Sequence, residues 1–329
     1  MITLKTLLDQ LQDICRCMVR NDYDTTRFIS RIDILRQDTV LCPDTLYLCP
    51  DDIPEDLLKP DAFSTSDPEQ SPVLLIDAVF WETYAKTSAA EYLPTTGDFL
   101  HTANEATALQ NRFSVIPVEN MPAPEDTFLL LNQRLTFELR LQQEINDLYH
   151  LLYSGHGLDD LILRAESFLH RPMSVLDASY SMIAVSPLMH QLPFGMEKSE
   201  EGSIFLSSQE VESLRRLQIE HQIYKNNQAF FIQTEDHPDT NWIFCGIRIQ
   251  HVMTGYVALC LPDKAEASEH ELRLITAFSD ICAIEMQKHE FFVQKTGLQY
   301  ETFLTELLEG RFNDVNIIET RLKLLNRRF

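Results

Sequence analysis

Two apolar runs, Trp242 to Gln250 and Met253 to Leu261, are joined only through Gln250-His251-Val252. No other feature constrains the chain so tightly, because two strand-length runs with so short a link must form a hairpin. The segments around this hairpin fall into order. Leu158, Leu161, Ile162, Ala165, Phe168 and Leu169 repeat at helical spacing up to His170-Arg171-Pro172, where the proline ends the helix. Two short strands follow, Met173 to Asp177 and Met182 to Ser186, about the turn-forming Asp177-Ala178-Ser179. A polar helix and the strand Ala229 to Thr234 lead into the hairpin. An amphipathic helix from Ser268 to about Gln294 closes the unit.

The first strand of the hairpin separates two kinds of side chain. Strand alternation sends Ile243, Cys245, Ile247 and Ile249 one way and Trp242, Phe244, Gly246 and Arg248 the other. The closing helix offers Leu272, Ile275, Phe278 and Ile281 to cover the aliphatic face. The aromatic face, with one Arg and one Gly, resembles a ligand pocket, in which apolar walls bury the ligand and a few polar groups orient it. The candidate ligand-binding residues are therefore Trp242, Phe244 and Arg248, joined by the aromatics Phe205, Phe230 and Tyr256. Two plainer roles stand beside this reading: Arg248 as a surface ion-pair partner, and the aromatics as ordinary core.

Composition narrows the function classes. The 329 residues include 50 acidic and 27 basic side chains, a formal net charge of −23. Nucleic-acid and anionic-membrane surfaces need clustered Lys and Arg, so the chain as a whole fits neither. The start, Met-Ile-Thr-Leu-Lys-Thr-Leu-Leu, lacks the basic and apolar regions of a signal peptide, and no apolar run is long enough for a membrane span. A cytoplasmic location is expected, and seven cysteines, an odd number, agree with a reducing compartment. Cys15 and Cys17 form a C-x-C pair without a second pair at zinc-site spacing. Only nine glycines occur, and no G-x-G-x-x-G, P-loop, G-x-S-x-G or H-E-x-x-H is present. No catalytic residue, metal site or cofactor is assigned, and the chain is not expected to be an enzyme.

The first 121 residues read as a separate α/β domain. Ile2, Leu4, Leu7, Leu8, Leu11 and Ile14 mark a helix over residues 2–18. Apolar strands recur at residues 44–49, 73–77 and 113–118, with helical segments at 53–58 and 102–112 between them and a polar loop at 63–71. Met121-Pro122-Ala123-Pro124-Glu125 is a stiff connector. The next stretch, Asp126 to Tyr153, has no Gly or Pro and reads as a helix of about 28 residues, roughly 40 Å long. Such a helix either lies across its own domain or bridges domains and packs against a second copy in a homodimer. Connector and helix occupy residues 122–156, and the domain built on the hairpin residues 157–294.

The tail, residues 295–329, carries a stripe at Phe303, Leu304, Leu307 and Leu308, a break at Gly310 and a more basic second helix. Two helices about a glycine also fit a helix-turn-helix, although the second is rich in Leu and Ile rather than base-reading residues. The element order of residues 157–292 is similar to a GAF-like fold. "GLDDLILRAESFLHRPMSVLDASYSMIAVSP" and "GIRIQHVMTGYVALCLPD" resemble the opening and the late hairpin of the sensor in PucR/CdaR-type bacterial transcriptional regulators. "YETFLTELLEGRFNDVNIIETRLKLLN" resembles the segment that leaves that sensor for a degenerate GGDEF-like domain, after which the family carries a helix-turn-helix. The first 120 residues resemble the family's purine-catabolism-regulator domain only loosely and lack its glycine-rich character. The resemblance implies an α+β, multi-domain sensor fragment. A small-molecule effector would bias a helix-mediated dimer, and DNA would be met only through a C-terminal domain outside these residues. An enzyme of unrecognised type and a protein–protein scaffold are the alternatives.

Overall fold

The structure, a computed structural model, describes residues 2–15, 18–19, 26–36, 39–50, 71–83, 110, 113–192, 196–198, 204–234, 239–249, 252–288, 303 and 307. The helices expected at 53–58 and 102–112, most of the 63–71 loop, Cys17 and the tail pattern lie outside the described residues, save isolated positions. The protein is α+β, and the chain divides into two compact units, Met1–Arg140 and Leu141–Phe329. The division falls inside one helix.

In the first unit, β1 (Ile2–Thr3) precedes helix α1 (Leu4–Cys15). The sequence pattern extends the helix back to residue 2, but Ile2 instead pairs with Ile29 of β3 (Phe28–Ile29). The Thr3 hydroxyl then accepts the Thr6 N–H at the helix start. The main sheet contains β4 (Arg31–Ile34), β5 (Thr45–Leu48), β6 (Val73–Asp77) and β7 (Ser114–Glu119), all parallel and in chain order. β2 (Met18–Val19) adds an antiparallel edge beside β7.

A parallel sheet is covered on both faces, and its strands are correspondingly apolar throughout. Leu46, Leu48, Val73, Leu75, Ile116 and Val118 share one buried face with Leu7, Leu8 and Leu11 of α1. The alternate residues Tyr47, Cys49, Leu74 and Ile76 meet Trp81 and Phe113 on the other. At the end of β6 the Asp77 carboxylate accepts the N–H groups of Val79 and Phe80 at 3.0 Å, starting the helical turn at residues 78–83.

Helix α2 (Pro124–Tyr153) starts two residues before the expected position, with proline in its first turn. Leu131 and Leu135 join the first unit's core. Leu148 and Leu152 are buried in the second unit. There Glu144 meets His270 at 2.5 Å, and Asp147 pairs with Arg164 at 2.8 Å.

The second unit continues with α3 (Leu158–Leu169), which ends at His170 in the left-handed region (φ 52°), before Pro172. Strands β8 (Met173–Asp177) and β9 (Met182–Val185) form a hairpin. Its turn is held by the Asp177 carboxylate, whose Oδ1 accepts from the backbone of Ser179 (2.8 Å) and of Ser181 (2.9 Å). A small hairpin, β10 (Met196–Lys198) and β11 (Ile204–Leu206), precedes two short helices, α4 (Ser208–Arg216) and α5 (Ile219–Lys225). The strands β12 (Phe230–Gln233), β13 (Thr240–Ile249) and β14 (Val252–Pro262) complete a five-stranded antiparallel sheet of order β12-β13-β14-β8-β9.

Helix α6 (Glu269–Lys288) closes the unit. It opens with a reciprocal cap: Ser268 Oγ accepts the Glu271 N–H, and Glu271 Oε2 accepts the Ser268 N–H. Ile275, Phe278 and Ile281 are fully buried, as are Ile243, Cys245 and Ile247. Leu272 is only half-buried. Cys245 Sγ lies 3.1 Å from Ser279 Oγ, which fixes α6 against the aliphatic face of β13.

Gly255 marks the closest approach in this sheet. A methyl group there would stand 2.2 Å from the carbonyl oxygen of Leu176 on β8. Backbone cannot yield as a flexible side chain does, so Gly255→Ala is expected to destabilise the second unit by about 1–3 kcal/mol, the usual range for overpacking. Urea unfolding would report this as a lower midpoint, and an unchanged midpoint would show that the strands separate freely.

Candidate functional site

The face of the second sheet opposite α6 carries the candidate site. Its composition follows from strand register. Phe230, Phe244, Ala258 and Ser174 are successive partners across β12, β13, β14 and β8. One row further, Ile232, Trp242 and Cys260 are partners; on the other side, Gly246, Tyr256 and Leu176. Directly opposed residues point to the same face, so the middle row sets two small side chains beside a phenylalanine. Large neighbours on both sides and small residues between them leave space above the sheet.

That space is a cavity. Its floor is Trp242, Phe244, Tyr256, Ala258, Leu176 and Ser174, and Met189, Leu206 and Thr234 stand at its edges. Its roof is one side of α4 and the turn after it: Glu210, Ser213, Leu214 and Leu217, the i, i+3, i+4, i+7 positions of a helical face. Ser207 caps this helix by accepting the Glu210 N–H. The cavity is narrow. The space that the centre of a water-sized sphere can occupy is about 40 Å³, a few times the roughly 10–15 Å³ that one water requires.

The aromatic walls are mutually packed. Trp242 stacks on Phe244 at 6.0 Å between ring centroids, and Tyr256 meets Phe244 edge to face at 6.3 Å. Tyr180 supports Tyr256 from behind at 6.1 Å, with a positive φ of 63° in the β8–β9 turn. Among the polar lining groups, the Ser174 hydroxyl is buried at 1% exposure and has no hydrogen-bond partner among the described residues. A buried hydroxyl without a partner costs free energy, which a ligand or a trapped water would recover.

The sequence candidates separate here. Trp242, Phe244 and Tyr256 line the cavity. Phe230 is half-buried and packs 6.4 Å from Phe244 on the same face, outside the cavity lining. On β11 the cavity takes Leu206, and Phe205 bridges to Ser181. Arg248 is on the expected face yet outside the cavity lining. Its guanidinium folds back over Gly246 and donates to the carbonyl oxygens of Ile223 and, at 2.7 Å, Asn226, at the C-terminal end of α5. Gly246 makes the route possible, since a methyl group there would stand 3.2 Å from Arg248 Nη1 and 2.6 Å from Ile223. A cation at a helix C-terminus satisfies exposed carbonyls and opposes the helix dipole.

Ser174, Ala258 and the α4 face were not singled out from sequence. The α4 residues did carry a signal, the helical spacing of Glu210, Ser213, Leu214 and Leu217. Burial pushes the thiol of Cys260, which partners Trp242 across the sheet, from 9.0 up to about 12, and burial also holds Cys282 of α6, on the other face, well above its ordinary value. No group of three or more His, Cys, Asp or Glu suited to a metal ion occurs among the described residues. Among those residues, no helix is long and apolar enough to cross a membrane.

No protein-family model matches the chain, and no curated protein matches it. Among solved structures it is similar to the cofactor-binding GAF domain of the nutrient sensor CodY from Clostridium difficile. The identity is 10% and the TM-score 0.33, over 45% of this chain and 97% of that one. The GAF domain of a phosphoenolpyruvate-protein phosphotransferase from Coxiella burnetii is similar at 12% identity and TM-score 0.32, covering 46% and 94%. The nlh2 GAF domain of A. aeolicus, in an inactive state, is similar at 7% identity and TM-score 0.31, covering 46% and 98%.

The placement of Arg248 has a measurable consequence. Arg248→Ala removes charged hydrogen bonds that tie α5 to the sheet, so stability should fall by about 1.5–3 kcal/mol. The check is chemical denaturation with an unchanged slope. A loss below about 0.5 kcal/mol, the range of an inert surface change, would show that the guanidinium does not anchor the helix.

Proposed function

We propose that this chain is the ligand-sensing part of a transcriptional regulator, and that it binds a small-molecule effector between the second unit's sheet and α4 without transforming it. One observation carries this reading: a cavity with aromatic and aliphatic walls and few polar groups, the composition of a binding site that buries its ligand. An effector would be held by Trp242, Phe244 and Tyr256 and oriented by the lining hydroxyls.

The sheet offers a route for the signal. β13 has Trp242 and Phe244 on the cavity side and Cys245 against Ser279 of α6 on the other. Within the same unit α6 reaches the end of α2, through His270 to Glu144 and through Lys288 Nζ to the carbonyl of Leu152. A ligand that fits one arrangement of this sheet better than another therefore biases both helices through its differential affinity. We infer that these helices mediate a homodimer and that the bias passes to a DNA-binding helix-turn-helix of the PucR/CdaR type. DNA is then met by that domain, and the acidic residues described here stay away from it. The proposed location is the cytoplasm.

A thermal-shift screen of the full chain over small metabolites tests the reading, repeated on Ala258→Val, which adds two methyl groups to the cavity floor. At least one metabolite should raise the melting temperature of the parent chain, and the shift should vanish in the variant. A metabolite that stabilises both equally would place binding elsewhere. If none stabilises the parent, the aromatic face is core, and a protein–protein scaffold becomes the better account.

A further inference from the structure

The lining narrows the ligand class, granted that the cavity is the effector site. We propose that it takes a small uncharged molecule, a compact apolar body whose single hydrogen-bonding group meets the Ser174 hydroxyl, and that it excludes ions of either sign. Of the described lining residues none is cationic, and the one with a formal charge, Glu210, has an interaction of its own. Arg248, the cation on this face of β13, is committed to the carbonyl oxygens of Ile223 and Asn226. An anion entering here would give up its hydration and find no positive partner. A cation would meet the rings of Trp242, Phe244 and Tyr256, but such contacts return only part of what stripping an ammonium group of water costs. An uncharged ligand avoids that cost.

The place of the hydrogen bond follows from which lining hydroxyls are engaged. Thr234 donates to the Thr240 carbonyl, and Ser213 and Tyr256 have interactions of their own. The Ser174 hydroxyl is buried and has no hydrogen-bond partner among the described residues. Its neighbours across the ladder, Ala258 on β14 and Val185 on β9, offer no polar side-chain atom. Ser174 shares the cavity face with Ala258 and Phe244, so a ligand lying along that row brings a polar end within reach of the hydroxyl. Leu176, Leu214 and Leu217 offer hydrocarbon contact to the rest of the ligand, and the small free volume holds it to a few carbons.

A matched trio on one carbon skeleton separates charge from shape: isobutanol, isobutylammonium and isobutyrate, titrated at neutral pH against the full chain while Trp242 is followed by its indole N–H resonance. Isobutanol should move the resonance and bind at least about tenfold more tightly than either ion, a factor equal to 1.4 kcal/mol. Ser174→Ala should weaken isobutanol by about two- to tenfold, the range of a neutral hydrogen bond. The same variant should unfold at an unchanged or higher urea concentration, because it removes a buried hydroxyl that the described residues leave without a partner. Weaker binding then reports the lost contact and not a lost fold. Either ion binding as tightly as isobutanol would overturn the proposal while leaving the sensor reading intact. So would an alcohol affinity that Ser174→Ala leaves unchanged, a urea midpoint that the substitution lowers, or the failure of all three to move Trp242. Failure of the sensor reading itself would appear separately, as a metabolite screen in which nothing stabilises the parent chain.

Discussion

The pairing of β13 with β14 is the interaction on which the second unit depends. Ten residue pairs run from Thr240 with Pro262 to Ile249 with Val252. That register puts Ile243, Cys245 and Ile247 under α6 and Trp242, Phe244 and Tyr256 at the cavity. A slip of one residue would exchange the two sets, turning aromatics toward α6 and aliphatics toward α4. The ladder shifts between Ile247 and Arg248, where Thr254 is the extra residue and its hydroxyl donates to the Ile247 carbonyl. The irregularity comes after the aromatic positions, at the end where Arg248 leaves the sheet for α5. The cup and the clamp at its end are thus consequences of one hairpin.

Much of this was legible in the residues. The hairpin, the Asp177 turn, the proline after α3 and the closing helix each rest on local chemistry that sequence displays directly: alternation, turn-forming residues, a blocked N–H, an apolar repeat at helical spacing. The apolar runs of the first unit show in the same way, because a strand buried on both faces has no polar positions to disguise it. β4 was not legible. Arg31 and Asp33 alternate with Ile32 and Ile34, and four residues at a sheet edge carry too few apolar side chains to stand out. Nor was the strand at Ile2, which depends on Ile29 across a loop.

The site divides along the same line. Trp242 and Phe244 could be assigned to one face from alternation alone. What Arg248 does could not be, since its partners lie 22 and 25 residues away, on a helix whose position over Gly246 is a packing outcome. The cavity itself arises from Ser174 and Ala258, which are unremarkable until register sets them side by side under α4. Small residues mark a pocket only once their large neighbours are known. Sequence displays what a side chain is, whereas a cavity is defined by what its neighbours are not.

The central claim is that effectors are sensed at the aromatic face of the second unit. The chain's two tryptophans separate the alternatives, because Trp81 lies in the first unit's core and Trp242 in the cavity wall. With both replaced by 5-fluorotryptophan, fluorine NMR gives each its own resonance, and the low-molecular-mass fraction of a cell extract can be titrated in. The account predicts that the Trp242 signal moves and the Trp81 signal does not. Movement of Trp81 alone, or of neither, would contradict it.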